Sequence, residues 1–469
     1  MPINIKLGRL LFLIYFWWSV LTPSFVIMFA LHPAVGLIDE ALLSSLFFAW
    51  LVAVFVNKKK IIVPSYVKFC GAILISVTVI SALFNSINVW TVVQFSLIYF
   101  RPVFMILIAV TFFDLDDVPL FVKIILILFT IQILLNFTWL LHINPIPHWK
   151  HFIDISTGTF ESCAATAYFC VIILFCCLAI IGSHEKFLKP FFSKTGILAL
   201  LATIQLYFTF TSHALVIGAI SSIGFAFEKI SRIYRFVLLV LMFFMIMSVF
   251  GGWEKSQFHA STKELIGMGN MVEKRLANLQ YSLKVDSFNL VISGKVPEIK
   301  TRWLGAGPGM FASLVAYRSP SLYRKYHDPA LHKRYGRRYM DSTSVTGYPH
   351  SGVLALLGDI GWAGFLTMAY MNICILWSVI RFVRTHKHLK TDSPDAFIAF
   401  IPSFIFYLMM DTIWDLGMFK ILSIGFWIWA GVLLKEIQKY YLAHAAGIIQ
   451  YPGGDYVGGI EGRQISKLL

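Results

Sequence analysis

Long apolar runs, separated by short polar segments, dominate this chain of 469 residues. Many runs reach the roughly 18 to 20 residues that an α-helix needs to cross the hydrocarbon core of a bilayer. They are continuous rather than alternating, so they predict helices, which satisfy their own backbone groups in lipid. The two runs that meet at Ser212-His213 could instead form one bent hairpin. We predict twelve spans, at about 10–33, 41–56, 62–84, 91–113, 118–142, 163–182, 195–211, 213–228, 236–252, 350–380, 395–416 and 419–435.

The distribution of basic residues predicts the orientation of these spans. Lysine and arginine concentrate in every second short loop, whereas the loops near His32, Asn85 and Gly417 have almost none. Because basic short loops stay on the cytoplasmic side, both termini are predicted to be cytoplasmic. Only the acidic turn 114–117 departs from this pattern. The chain then divides into transmembrane helices 1–9, a basic periplasmic loop, transmembrane helices 10–12 and a cytoplasmic tail, at 1–252, 253–349, 350–436 and 437–469.

The composition excludes a soluble protein and a disulfide scaffold. Hydrophobic residues make up 58% of the chain and charged residues only 13%. The six cysteines lie in or at the ends of apolar runs, which is typical of helix packing and forms no disulfide or metal-binding pattern. The sequence therefore predicts an all-α polytopic membrane protein with no metal and no cofactor.

The predicted periplasmic loop 253–349 carries fifteen basic and seven acidic residues, a surplus of eight positive charges. One interpretation is a solvated basic face that touches anionic lipid headgroups. The other is capture of an anionic substrate such as a lipid diphosphate, with interleaved Trp and Tyr residues that stack on sugar rings. No nucleic acid is expected as a partner on this side of a membrane. Within the loop, GAGPGMF at 305–311 is either a turn or a nest of backbone amides that binds an oxyanion.

A histidine, His350, stands at the head of a regular stripe. Leu354, Leu357, Gly361 and Gly364 follow it at steps of four, three, four and three, which places all five on one face of an α-helix. This pattern, after a long outer loop, resembles the O-antigen ligase and polymerase superfamily. These are integral membrane glycosyltransferases of bacterial surface polysaccharide assembly. The family usually has asparagine after the histidine, whereas this chain has serine.

Three other patches resemble the same family. Arg275 begins an amphipathic stretch, RLANLQYSLKV, which leads to WLGAGPGMF, in the family's order of arginine, helix and glycine turn. GTFESCAATA at 158–167 resembles an earlier outer segment that leads into a span. Ser212-His213 falls where the family often has Ser-Arg, so histidine replaces one cationic contact.

The resemblance implies a GT-C-like fold and glycosyl transfer from a polyprenyl diphosphate. Attack by an acceptor hydroxyl on the anomeric carbon needs a base for the proton and cations for the departing diphosphate. Imidazole titrates in the right range, so His350 is the candidate base, with Glu161 as an alternative base or a residue that orients a cation. Arg275 is the first diphosphate-binding candidate because guanidinium binds phosphate oxygens in a bidentate manner. Arg302 and His213 are secondary candidates.

Arg101 is a candidate on physical grounds alone. It lies inside the apolar run SLIYFRPVFMILIAV, and an arginine within a membrane is costly and usually functional. It is either a further diphosphate-binding residue or a structural partner of Asp411 or Asp415, which interrupt a later span.

The resemblance predicts a polysaccharide polymerase in the bacterial inner membrane. It would transfer an oligosaccharide from undecaprenyl diphosphate to a second lipid-linked glycan at the periplasmic face, without a metal and with inversion. The first alternative is an O-antigen ligase whose acceptor is lipid A core. The second is a flippase or transporter of lipid-linked glycans, and the third is a structural assembly protein. Membrane lipids and a chain-length regulator would be further partners.

Overall fold

Helices account for nearly all of the structure that is described. The computed structural model describes residues 3–28, 37–56, 62–140, 163–182, 194–208, 212–227, 291–292, 299–311, 351–385, 394–413 and 420–445. These ranges contain no β-strand, and their isolated β-bridge joins Thr301 to Gly305. The predicted all-α class is therefore confirmed for this part of the chain.

The helices follow the apolar runs of the sequence. A π-helix, Val52–Val56, extends the helix Leu37–Leu51, and short 3₁₀-helices at Leu115–Asp117 and Ser222–Phe227 precede the helix Val118–Leu140 and follow the helix Ser212–Ser221. Within the described ranges the α-helices are α1 (Ile3–Met28), α2 (Leu37–Leu51), α3 (Ser65–Phe84), α4 (Val89–Tyr99), α5 (Arg101–Phe112), α6 (Val118–Leu140), α7 (Cys163–Gly182), α8 (Lys194–Phe208), α9 (Ser212–Ser221), α10 (Gly352–Asp359), α11 (Gly361–Thr385), α12 (Pro394–Ile413) and α13 (Lys420–Ala445).

Four of the described helical segments are long and apolar enough to cross a membrane. They are Ile38–Val56, Ser65–Phe84, Gly361–Thr385 and Asp395–Thr412, and the bent pair of α4 and α5 would make a fifth. Segments of this length and composition are suited to the hydrocarbon core of a bilayer, and they identify a membrane-embedded protein. The twelve spans and the periplasmic loop extend beyond these helices and stay a prediction.

The predicted span 91–113 is broken in its middle. α4 ends at Tyr99, α5 begins at Arg101, and the axes of the two helices differ by 59°. Pro102 explains the break, because it has no N–H to donate to the carbonyl of Ile98 and its ring crowds the preceding turn. Arg101 consequently begins a helix instead of lying inside one.

The predicted span 350–380 is also two helices, so the prediction of one continuous helical stripe was wrong. α10 ends at Asp359, and α11 begins at Gly361, whose φ of +68° interrupts a regular helix. The two leucines of the stripe therefore belong to α10, and its two glycines belong to α11. α8 ends at Phe208 and α9 begins at Ser212, and residues 209–211 lie outside the described part, so the choice between two spans and one bent hairpin at Ser212-His213 stays a prediction.

Contacts along neighbouring helices show their relative directions. Tyr66 Oη lies 3.1 Å from Ser378 Oγ, so the start of α3 meets the later part of α11. At its other end, α3 contacts a loop that is bonded to the start of α11, because Ser81 Oγ donates to Leu304 O at 2.5 Å. α3 and α11 are therefore antiparallel. We call the end of the bundle that contains this loop, residues 301–311, the Gly-loop end.

The opposite end is formed by α1, α5 and α13. Arg9 Nε donates to Phe112 O at 2.7 Å, so α1 begins where α5 ends. Lys435 Nζ donates to Phe113 O at 2.7 Å, and one turn earlier Gly431 packs against Ala109, so α13 runs parallel to α5. We call this the Asp114 end, after the acidic turn that follows α5.

Basic residues of other helices compensate that acidic turn. Asp114 Oδ1 lies 2.6 Å from Lys435 Nζ and 2.9 Å from Lys439 Nζ. Arg9 pairs with Asp117 at 2.7 Å. Partial burial would raise the pKa of Asp114, but hydrogen bonds and charges from the two lysines outweigh it and lower the pKa to about 2. Two carboxylates of the turn are thus paired with basic side chains of α1 and α13. The acidic turn, which lacks the basic residues of the other predicted cytoplasmic loops, receives positive charge from these helices.

Candidate functional site

The loop of residues 301–311, the Gly-loop, closes the break between α10 and α11. Ala306 N donates to Gly358 O at 2.8 Å. Gly307 N donates to Asp359 O at 2.9 Å. The last carbonyls of a helix have no partner within that helix. The loop supplies the donors that the end of α10 lacks.

The same loop supplies acceptors to the start of α11. Trp362 N donates to Arg302 O at 2.9 Å, and Ala363 N donates to Trp303 O at 3.2 Å. These N–H groups belong to the first turn of α11, where no carbonyl of the same helix can accept from them. The loop thus satisfies backbone groups on both sides of the break, which makes the break stable inside the protein.

A buried carboxylate, Asp359, fastens the second half of the loop. It is fully buried, its Oδ2 accepts from Gly309 N at 3.1 Å, and its Oδ1 accepts from Phe311 N at 2.6 Å. Together with the two amides bonded to α10, four amides of the loop are occupied within the protein. Two of these donors bind the carboxylate of Asp359 and two bind carbonyls of α10, so none of the four is available to an external oxyanion, and the interpretation of 305–311 as a turn fits the structure.

Two glycines allow this close fit. Gly305 has a φ of +67° and Gly361 a φ of +68°, a region that L side chains rarely adopt. A Cβ at Gly305 would lie 2.6 Å from Asp359 O, and a Cβ at Gly361 would meet the backbone of Trp303. Both positions consequently require glycine.

The start of α10 is set by a capping serine. Ser351 is fully buried, has extended backbone angles, and accepts a hydrogen bond from Leu354 N at 3.2 Å. Asparagine and serine are about equally good at this position, since either side chain can accept from the first turn. Ser351 therefore caps the helix about as well as would the asparagine that is usual at this place in the family that the sequence resembles. His350, which directly precedes the cap, lies outside the described residues.

A second carboxylate, Asp411 of α12, lies against the start of α10. If residue 352 carried a Cβ atom, that atom would collide with both carboxylate oxygens of Asp411, so Asp411 packs directly against Gly352. The N-terminal amides of a helix favour a negative charge at this place. Asp411 therefore lies beside Gly352, which follows His350 by two positions in the sequence.

Arg101 belongs to a different, buried polar layer. It is only 4% exposed, and the charges of Asp39 and Glu40 on α2 act on it together with the hydroxyl of Tyr15. Ser19 of α1 donates to Asp39 in the same layer. Asp39 and Glu40 of α2 are thus acidic neighbours of Arg101 in the described part of the chain, whereas Asp415 lies outside it and its pairing with Arg101 stays a prediction.

The remaining predicted site residues are only partly covered by the structure. Arg302 is an exposed side chain on the Gly-loop. His213 is the second residue of α9, and its side chain lies outside the described part. Glu161 and Arg275 lie outside the described residues, as His350 does. Their grouping into one site stays a prediction.

Sequence reasoning missed Asp359, whose two hydrogen bonds organise the loop. The signal was an aspartate between glycines inside the apolar run LALLGDIGWAG, because such a residue needs hydrogen-bond donors when it is buried. No protein-family model matches this chain, and neither does any curated protein. The family resemblance therefore rests on the sequence patches described above.

Proposed function

We propose that the protein is a membrane glycosyltransferase of the polysaccharide polymerase type. It transfers an oligosaccharide from undecaprenyl diphosphate to a second lipid-linked glycan. The observation that carries the proposal is made at the start of α10. There Gly352 follows the capping Ser351 and packs against the carboxylate of Asp411. His350 precedes that cap directly in the sequence.

In the proposed reaction, His350 takes the proton of the acceptor hydroxyl as its oxygen bonds to the anomeric carbon. The bond between that carbon and the diphosphate oxygen breaks on the opposite face, so the configuration inverts. Arg275 stabilises the negative charge of the departing diphosphate. The negative charge of Asp411 favours the imidazolium that forms. Glu161 is the alternative base, and His213 is a secondary contact for the diphosphate.

The surroundings of Arg101 weigh against a role in diphosphate binding. Its charge is buried, and the nearby carboxylates of Asp39 and Glu40 would repel a second anion. We therefore assign it to the structure of the polar layer that joins α1, α2 and α5. The rival function of lipid-glycan translocation would use such a buried polar layer, because ionisable residues within a membrane often mark a transport path.

The proposed orientation puts the Gly-loop end in the periplasm and the Asp114 end in the cytoplasm of a bacterial inner membrane. The basic short loops support this orientation. It gives α10 access to lipid-linked glycans on the periplasmic face, and it includes the twelve predicted spans.

The test uses purified full-length protein in nanodiscs with lipid-diphosphate-linked oligosaccharide as both donor and acceptor. We expect a ladder of longer glycans from the wild type and none from His350→Ala, while His444→Ala, a histidine near the C-terminal end of α13, keeps the ladder. A ladder from His350→Ala would overturn the role of the histidine. Product only after addition of lipid A core would identify a ligase. Failure of both, with translocation of the lipid intact in liposomes, would identify a flippase.

A further inference from the structure

Two exposed tryptophans and two cations mark the Gly-loop end. Trp303 is 63% exposed and Trp90, in the first turn of α4, is 64% exposed. Lys300 and Arg302 are also exposed, and Lys300 Nζ lies 5.9 Å from the ring centre of Phe84 at the end of α3. We call the side chains of Phe84, Lys300, Arg302 and Trp303 the Trp303 surface.

Backbone hydrogen bonds fix the position of this surface along the axes of α3 and α11. The carbonyls of Arg302 and Trp303 accept from the first turn of α11, and the next carbonyl, Leu304 O, accepts from Ser81 of α3. The segment that carries Arg302 and Trp303 is thus bonded to the ends of α3 and α11, and the side chain of Lys300 lies over Phe84 at the end of α3. The position of these residues relative to the membrane follows from the apolar length of the two helices.

α3 and α11 expose apolar faces that extend along each helix to the end at which the loop is bonded. On α3 the exposed residues include Phe69 and Leu83, which are separated along the axis by about 21 Å at the rise of an α-helix. On α11 they include Leu366, Ile373 and Trp377. The exposed Arg302 and Trp303 lie on the loop that is bonded to the ends of these faces, through Ser81 of α3 and the first turn of α11, and the exposed Lys300 lies against Phe84 at the end of α3. Apolar faces that end at tryptophan and basic residues are the arrangement found where a protein passes from the hydrocarbon core to the headgroups of a bilayer.

We propose that the Trp303 surface binds the headgroup of an anionic phospholipid of the surrounding bilayer. Its acyl chains lie along the exposed faces of α3 and α11, Trp303 sits at the ester level, and Lys300 and Arg302 contact the phosphate. Charge complementarity selects an anionic lipid over a zwitterionic one. The side chains of this surface are exposed, and the nearby amides of the Gly-loop are occupied by Asp359 and the end of α10. This site is independent of the proposed transferase activity, and it gives Arg302 a role other than substrate binding.

The experiment measures quenching of Trp303 by brominated lipids in nanodiscs, as the difference between the wild type and Trp303→Phe. We expect brominated phosphatidylglycerol to quench this component at least about twofold more strongly than brominated phosphatidylcholine at equal mole fraction. The double variant Lys300→Gln/Arg302→Gln should lose the preference. Lys68→Gln, an exposed lysine near the opposite end of α3, should keep it. High salt should reduce the preference in the wild type, a measurement that needs no variant.

Three results would overturn the proposal. The first is equal quenching by the two lipids in the wild type, and the second is a preference that survives in a folded double variant. The third is displacement of phosphatidylglycerol by a trace of farnesyl diphosphate, used as a soluble polyprenyl diphosphate, which would assign the cations to the substrate. Unfolding midpoints of the variants, compared with that of Lys68→Gln, show whether the double variant is folded.

Discussion

Asp359 and Asp114 are both held by hydrogen-bond donors, but their surroundings differ. Asp359 is fully buried and accepts from two backbone amides, so removal of its carboxylate would leave buried donors without partners. Asp114 is 39% exposed in its side chain and is paired with two lysines. Solvent screens the second arrangement, and its strength depends on the protonation of the carboxylate. The first fixes a local fold, whereas the second joins three helices in a pH-dependent manner.

We expect the stabilisation from Asp114 to be lost in acid. Its pKa in the folded protein is about 2, below the ordinary value of 3.8, so the contribution is complete above the ordinary value and declines as the pH falls toward the folded value. At neutral pH, Asp114→Asn should lower the free energy of unfolding by about 1 kcal/mol, a figure reduced for solvent screening. The measurement is the thermal midpoint in nanodiscs from about pH 7 to about pH 3.

The matched control is Asp116→Asn, the same change at an exposed carboxylate of the same turn. The difference between the two variants should shrink as the pH falls. A difference that stays constant down to the lowest pH would show that Asp114 acts by packing and not by its charge.

At the scale of elements, apolar length predicted where helices lie but not where tertiary contacts interrupt them. No residue inside the run 163–182 signals a break, and α7 has the bounds that the length of the run predicts. Pro102 was a local signal for the break before α5, which the length of the run concealed. The break at Gly361 had no comparable local signal, because it is stabilised by a loop about fifty residues earlier in the chain. For the same reason, the segment around Asp359 could signal the need for hydrogen-bond donors but not that Gly309 and Phe311 supply them.

We expect the helix break to fail when its glycines gain a side chain. Gly305→Ala forces a left-handed backbone on alanine and brings its Cβ against the backbone of Asp359. Strain and lost hydrogen bonds should reduce the free energy of unfolding by about 2 kcal/mol or more. Unfolding midpoints and the yield of monodisperse protein in detergent measure this effect.

Gly425→Ala in α13 is the matched control. Its nearest neighbour outside its own helix would be the ring of Phe16 at 3.9 Å, which is an ordinary contact. Alanine is the better helix former, so this variant should be neutral or more stable by up to about 1 kcal/mol. Equal behaviour of the two variants would mean that the Gly-loop is not required to close the break.

At the scale of the whole molecule, the two ends of the bundle differ in chemistry. The Asp114 end gathers paired charges from α1, the acidic turn and α13, whereas the Gly-loop end exposes Trp303 and two cations. α3 is antiparallel to α11 and α13 is parallel to α5, which are the directions that alternating crossings would require, and the crossings themselves stay a prediction. Composition predicts alternating crossings because each apolar run returns the chain to the other side. It could not predict the constellation of His350, Glu161 and Arg275, since that depends on how long segments fold between the spans.

We therefore expect Asp116 and Trp303 to lie on opposite sides of the membrane. Each is replaced by cysteine in a chain whose six native cysteines are changed to alanine, and spheroplasts are treated with a membrane-impermeant maleimide. Trp303→Cys should react directly, and Asp116→Cys only after permeabilisation. Labelling of both from one side would contradict the opposed ends of the bundle. The reverse pattern would preserve the fold but place both termini outside, and α10 would then face the cytoplasm, where it could not act on glycans already exported to the periplasm.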